Sequence, residues 1–198
     1  MKRYEYVGLI APWVGIIGIF IAIAFNTSWW SLTNNAISDL GNIKRPWVNH
    51  PYILNTTLML AGAMVTYYLV NLFRDMQELI GKIGCIIFLL GGISLFLIGV
   101  FPEEASIMGF EPHYYVSWGF FLLAGFGILI IGIGALLRNA KGFGIFSLLL
   151  FILTWILAYY ELHAFKGVAI AEFTGVLSFS LWLYVATLWK EALPRLRD

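Results

Sequence analysis

Six stretches of the chain are apolar almost without interruption, and short polar segments separate them. They lie at about 7–25, 52–73, 83–101, 114–137, 142–160 and 167–189. A helix needs roughly 20 such residues to cross the hydrocarbon layer of a bilayer, and all six runs come close to that length. The pattern predicts an all-α polytopic membrane protein, a bundle of six transmembrane helices forming a single domain over residues 1–198. Nothing is left over for a soluble domain.

Composition strengthens this reading. The chain is 61% hydrophobic and 12% charged, with a mean hydropathy of +0.85, whereas soluble domains are about a quarter charged. The first run is too long for a secretory signal and has no small-residue cleavage pattern before Trp29-Trp30. The single cysteine, Cys85, excludes an internal disulfide and reads as a small packing residue.

Charge orients the bundle. Lys2, Arg3, Arg74, Lys82, Arg138, Lys141, Lys190, Arg195 and Arg197 fall on one side; only Lys44, Arg45 and Lys166 fall on the other. The excess of Lys and Arg marks the cytoplasmic side, so both termini are expected there. A net charge of +1 leaves no basic face for nucleic acid.

The opposite, outer side carries the candidate chemistry. Its first loop reads "NNAISDLGNIKRPWVNHP", Asn34 to Pro51, and all three histidines, His50, His113 and His163, lie on that side. Asp39, Glu103, Glu104, Glu111 and Glu161 are there too. Polar residues are common where loops meet water, and Trp29, Trp30, Trp47, Tyr114, Tyr115, Trp118, Tyr159 and Tyr160 suit the aromatic belt of a membrane interface. Within the loop, Ser38 or Asp39 can cap a short helix or turn, with Gly41 supplying positive φ. Pro102 ends the third helix and turns Glu103 and Glu104 back over the bundle mouth. Pro112 opens the fourth, which places His113 and Ser117 on one face, as a catalytic pair, a head-group site, or a histidine meeting water beside a hydroxyl bonded to its own helix. Glu172 is expected over one turn inside the sixth helix. An ionisable group inside the bilayer is costly unless paired, so Asn55, His113 and Ser117 are its expected partners. Glycines recur along the third and fourth helices, where small residues let membrane helices approach closely. The common nucleotide, zincin, redox and hydrolase motifs are absent.

"NNAISDLGN" after a first membrane helix, "FPEE" closing the third and His-x-x-x-Ser opening the fourth together resemble the domain-of-unknown-function 998 family. That resemblance implies a six- or seven-helix membrane protein and no settled activity. Members often carry a Glu-Arg pair in the last helices, whereas here Phe173 follows Glu172. The Ile-Ser-Asp-x-Gly loop is also similar to one in DRAM-type proteins and in PGAP-type proteins that remodel GPI-anchor lipids.

Three classes of function fit these residues. A lipid-directed protein, enzyme or binder, ranks first. Asp39, His113, Ser117 and Glu172 would act as catalytic groups, with Ser38, His50, Asn55, Glu103, Glu104 and His163 as binding groups for a membrane lipid. No cofactor is expected; the alternative is zinc on His50, His113, His163 and Asp39. A small transporter or channel subunit using Glu172 comes second, and a non-catalytic sensing or assembly subunit remains.

Overall fold

In the computed structural model, which describes residues 1–189, six helices are long and apolar enough to cross a membrane. They are α1 (Arg3–Ala24), α2 (Tyr52–Asp75), α3 (Leu79–Val100), α4 (Pro112–Leu137), α5 (Lys141–Ala164) and α6 (Ala169–Leu188). No β-strand occurs among the described residues, only an isolated bridge between Ile107 and Phe110. The basic tail that contributes to the charge asymmetry, 190–198, lies outside the described residues.

Helix ends depart from the apolar runs where capping extends them. α1 begins at Arg3 because the Glu5 carboxylate accepts the Lys2 backbone N–H at 2.6 Å. α3 begins at Leu79 because Glu78 caps it, accepting the N–H groups of Ile80 and Gly81. α5 continues to Ala164, through residues that the pattern assigned to a loop. α6 starts later than expected, so Glu172 falls in its first turn.

Each helix packs antiparallel on the next, and α6 returns to α1, closing a ring. Small residues set the tightest contacts. A methyl group at Gly127 would lie 2.7 Å from the Phe88 backbone nitrogen, and one at Gly91 would lie 2.9 Å from that of Ala124. This close approach of α3 and α4 is the small-residue packing expected of membrane helices. The ring closes less extensively between α1 and α6 than between any other neighbours. There the Tyr184 hydroxyl donates to the Leu9 carbonyl at 2.9 Å, and Phe20 meets Phe173 with ring centroids 5.9 Å apart.

Inside the ring sits a cavity of about 60 Å³. Its walls are apolar apart from Ser180 and include Pro12, Ile19, Leu58, Phe88, Phe120 and Phe179. Toward the chain termini the ring is filled by Tyr68, whose hydroxyl accepts from Thr187 at 3.2 Å and whose ring packs on Tyr4. Toward the other side the first loop packs on Ile19, Leu58 and Val176, which also line the cavity. That loop is stapled at its base by fully buried Asn26, which donates to the carbonyls of Ala22 and Asn49 and accepts from Asn49 N–H and Trp29 Nε1.

Candidate functional site

The "ISDLG" segment is a plug. Ser38–Gly41 forms one 3₁₀ turn, and with three residues per turn Ile37 and Leu40 project to the same side. Both are buried against Ile19, Ala22, Trp30, Leu54 and Ala169, and Leu40 is 0% exposed. The hydrophobic effect thus seats the plug in the mouth of the ring. Backbone bonds then hold it to α6 and the segment before it: Gly167 N–H to the Thr33 carbonyl and Ala169 N–H to that of Asn35, both at 2.9 Å. A side chain at Gly167 would collide with the Asn35 backbone, so this crossing requires glycine.

Asp39 lies sideways in the turn. Its Oδ2 accepts the Ala36 N–H at 2.8 Å and Asn35 Nδ2 at 3.3 Å, and its Oδ1 meets Arg45 Nη1 at 2.5 Å. Arg45 is the hub of the mouth. Its Nη2 lies 3.5 Å from Glu103 Oε2 and 3.2 Å from Glu104 Oε1. Lys44 Nζ donates to the Glu104 carbonyl at 2.6 Å. Asn42, fully buried, donates to Glu103 at 3.3 Å and accepts the N–H groups of Lys44 and Arg45. Glu103 and Glu104 therefore do lie over the mouth beside the plug.

One guanidinium cannot neutralise three carboxylates, and two of them, Asp39 and Glu103, are shifted in opposite directions. Burial pushes Asp39 upward, but the Ala36 N–H, Glu103, Arg45 and Asn35 together outweigh it and hold its pKa below the ordinary value. Burial and then the Asp39 charge push Glu103 above its ordinary value, against the pull of Asn42 and Arg45.

Several expectations need correction. Glu172 does not reach Asn55, His113 or Ser117; its Oε2 accepts the Ile37 backbone N–H at 2.5 Å. In the first turn of α6 a carboxylate also sits favourably at the positive end of the helix dipole. Asn55 instead donates to the Gly41 carbonyl at 2.9 Å. Gly41 is not at positive φ, since Gly109 is the only glycine so placed among the described residues. It is needed for close approach, because a methyl group there would lie 2.3 Å from Asn55 Oδ1. The half-buried Ser38 side chain takes no part in the network.

The histidines do not converge. His113 Nδ1 donates to the Phe101 carbonyl at 2.8 Å, tying α4 to the end of α3, and no hydrogen bond joins it to Ser117. His50 pairs with the Tyr52 hydroxyl at 2.9 Å, and His163 with the Tyr159 carbonyl at 2.7 Å, both exposed. His50, His113, His163 and Asp39 do not assemble as a zinc set; no group of three or more His, Cys, Asp or Glu among the described residues could hold a metal ion.

Asn42 and Asn35 carry no role in the sequence reading, and Arg45 enters it only by its charge, as half of a Lys-Arg pair in the same polar loop as Asp39. Glu161 was noted as an outer carboxylate without a role. Its Oε1 accepts the Thr174 hydroxyl at 2.9 Å, while Oε2 is enclosed without a partner.

Fold and site together define a multi-pass integral membrane protein, a closed ring of six helices with a stoppered mouth. The chain belongs to the family described as protein of unknown function (DUF998), matched over residues 9–189. Comparison with curated proteins and with solved structures gives no match, so the likeness of the loop to DRAM- and PGAP-type proteins rests on its short motif alone.

Proposed function

We propose that this protein binds a membrane lipid, taking part of a hydrocarbon tail between its helices beneath a head group held at the acidic mouth. Both termini lie in the cytoplasm in this reading, and the plug faces the outside or the lumen. The observation that carries it is the cavity of about 60 Å³ directly under the plug, apolar on nearly every wall and bounded by α1, α2, α3, α4 and α6. Apolar cavities stay dry and accept hydrocarbon. The α1–α6 seam, the least extensive in the ring, supplies a lateral way in from the bilayer.

On the plug side of the bundle the carboxylates Asp39, Glu103, Glu104, Glu111, Glu161 and Glu172 outnumber the cations Lys44, Arg45 and Lys166, and three of them share Arg45. That surplus of acid favours a head group bearing an amine. Binding is favoured over catalysis because His113 uses Nδ1 on a backbone carbonyl and forms no nucleophile–base pair with Ser117. It is favoured over transport because Tyr68, Leu72 and Trp182, all 0% exposed, fill the half of the ring toward the termini.

The test is mass spectrometry of lipids carried through gentle purification, on the native chain and on Ala61→Phe, which places a ring in the cavity. Wild type should retain an amine-bearing lipid, and Ala61→Phe should lose it while unfolding at a similar temperature. Equal retention by a stably folded Ala61→Phe, or a wild type that carries no lipid, would overturn the reading.

A further inference from the structure

The loop joining α3 to α4 has no place in the mouth network beyond Glu103 and Glu104, yet it holds the most exposed apolar group among the described residues. Ile107 and Phe110 exchange both backbone hydrogen bonds, at 2.9 and 3.0 Å. Between them Met108 (φ 53°) and Gly109 (φ 82°) both lie in the left-handed region. This is a two-residue hairpin of the type I′ class, whose first central position normally takes Asn, Asp or Gly. Here a methionine occupies it, bearing the conformational cost of a side chain at positive φ.

The side chains so displayed are all apolar. Ile107 is 51% exposed, Phe110 51% and Met108 104%. From Ala105 to Phe110 the loop has no charge, while Glu103, Glu104 and Glu111 flank it. Such an uncharged apolar tip with charged shoulders seeks a surface.

The aromatic contacts identify that surface. Phe110 stacks on Tyr115, with centroids 4.8 Å apart and planes 17° from parallel. Tyr114 meets Tyr115 edge-on at 5.5 Å and Trp118 at 6.4 Å. All three α4 rings are exposed on the outside of the bundle in the first two turns of a membrane-spanning helix. Tyr and Trp collect at that depth because their rings suit the head-group layer. The hairpin is joined to this girdle, so its tip lies at the same level.

We propose that Ile107, Met108 and Phe110 form a wedge inserted into the head-group layer of the leaflet on the plug side, so that the α3–α4 loop lies on the bilayer instead of in water. Partial burial of apolar side chains at this boundary is the physics of interfacial anchoring. Because the same loop carries Glu104, which meets Arg45 at 3.2 Å, the wedge also couples the lipid surface to the mouth.

The experiment places an environment-sensitive nitrobenzoxadiazole label on Met108→Cys in a Cys85→Ser background, reconstituted in phosphatidylcholine vesicles. Met108 packs against nothing, so the substitution leaves the fold unperturbed. The expected result is blue-shifted emission, loss of most of the signal to a lipid spin-labelled near the head group, and weak quenching by aqueous iodide. Water-like emission with strong iodide quenching would overturn the proposal. So would a blue shift that ignores the lipid-borne quencher and grows with protein density, which would mark contact with a second copy or another protein.

Discussion

Asp39 and Glu103 lie against the same guanidinium, and their opposite pKa shifts carry opposite consequences. Asp39 is held below its ordinary value, so its stabilising contribution is present above that value and disappears only in stronger acid. Glu103 is held above its ordinary value, so its contribution is present in acid and is lost as pH rises through the shifted value. We expect the plug to loosen as pH is raised from the ordinary glutamate range through the shifted value of Glu103, seen as a falling unfolding temperature. Glu103→Gln, which cannot ionise, should flatten that dependence; an unchanged slope in the variant would remove Glu103 from the titration. Glu172 calls for a different contrast. It accepts one backbone N–H from Ile37, so Glu172→Gln keeps an acceptor and should cost about 1 kcal/mol or less, whereas Glu172→Ala leaves that N–H unpaired and should cost about 1–3 kcal/mol. Equal losses from the two, measured by reversible unfolding in detergent, would show that the charge matters more than the bond. Sequence reasoning found Glu172 from its place inside the sixth apolar run but named the wrong partners. A main-chain N–H from a loop 135 residues away leaves no mark in composition or spacing.

At the scale of helices, packing distance decides which glycines matter. A methyl group at Gly127 would overlap the Phe88 backbone at 2.7 Å, and a backbone cannot rotate aside. Gly127→Ala is therefore expected to destabilise by about 1–3 kcal/mol, as overpacking does. At Gly15 the nearest atom is the Ala61 methyl at 3.8 Å, an ordinary contact. Gly15→Ala should be neutral or raise stability by up to about 1 kcal/mol, because alanine restricts the unfolded chain and favours helix. Thermal unfolding of the two variants side by side checks the ordering. The periodic glycines of α3 and α4 were legible from the sequence as close-packing positions, since small-residue spacing is itself a helical pattern. Gly41 was legible only as a special residue. Its reason, the approach of Asn55 from α2, required both elements to be in place.

For the molecule as a whole, topology is the most direct test. Labelling from outside should reach Ile43→Cys, which is 62% exposed beside the plug, and should not reach Gln77→Cys between α2 and α3; native Cys85 is fully buried and contributes no background. The reverse pattern would invert the orientation inferred from charge. The sequence by itself determined the number, class and approximate ends of the helices, because the bilayer's thickness and its intolerance of unpaired charge write themselves into runs of apolar residues. It also marked the first loop and "FPEE" as neighbours of the mouth, because polar residues concentrate where the apolar runs stop. Only the tertiary structure decided that Ile37 and Leu40 are the anchors of a stopper, that Arg45 is the hub among the carboxylates, and that the three histidines stay apart. Those outcomes depend on which loops meet once the ring closes, and ring closure is a contact between the first helix and the last that local periodicity cannot encode.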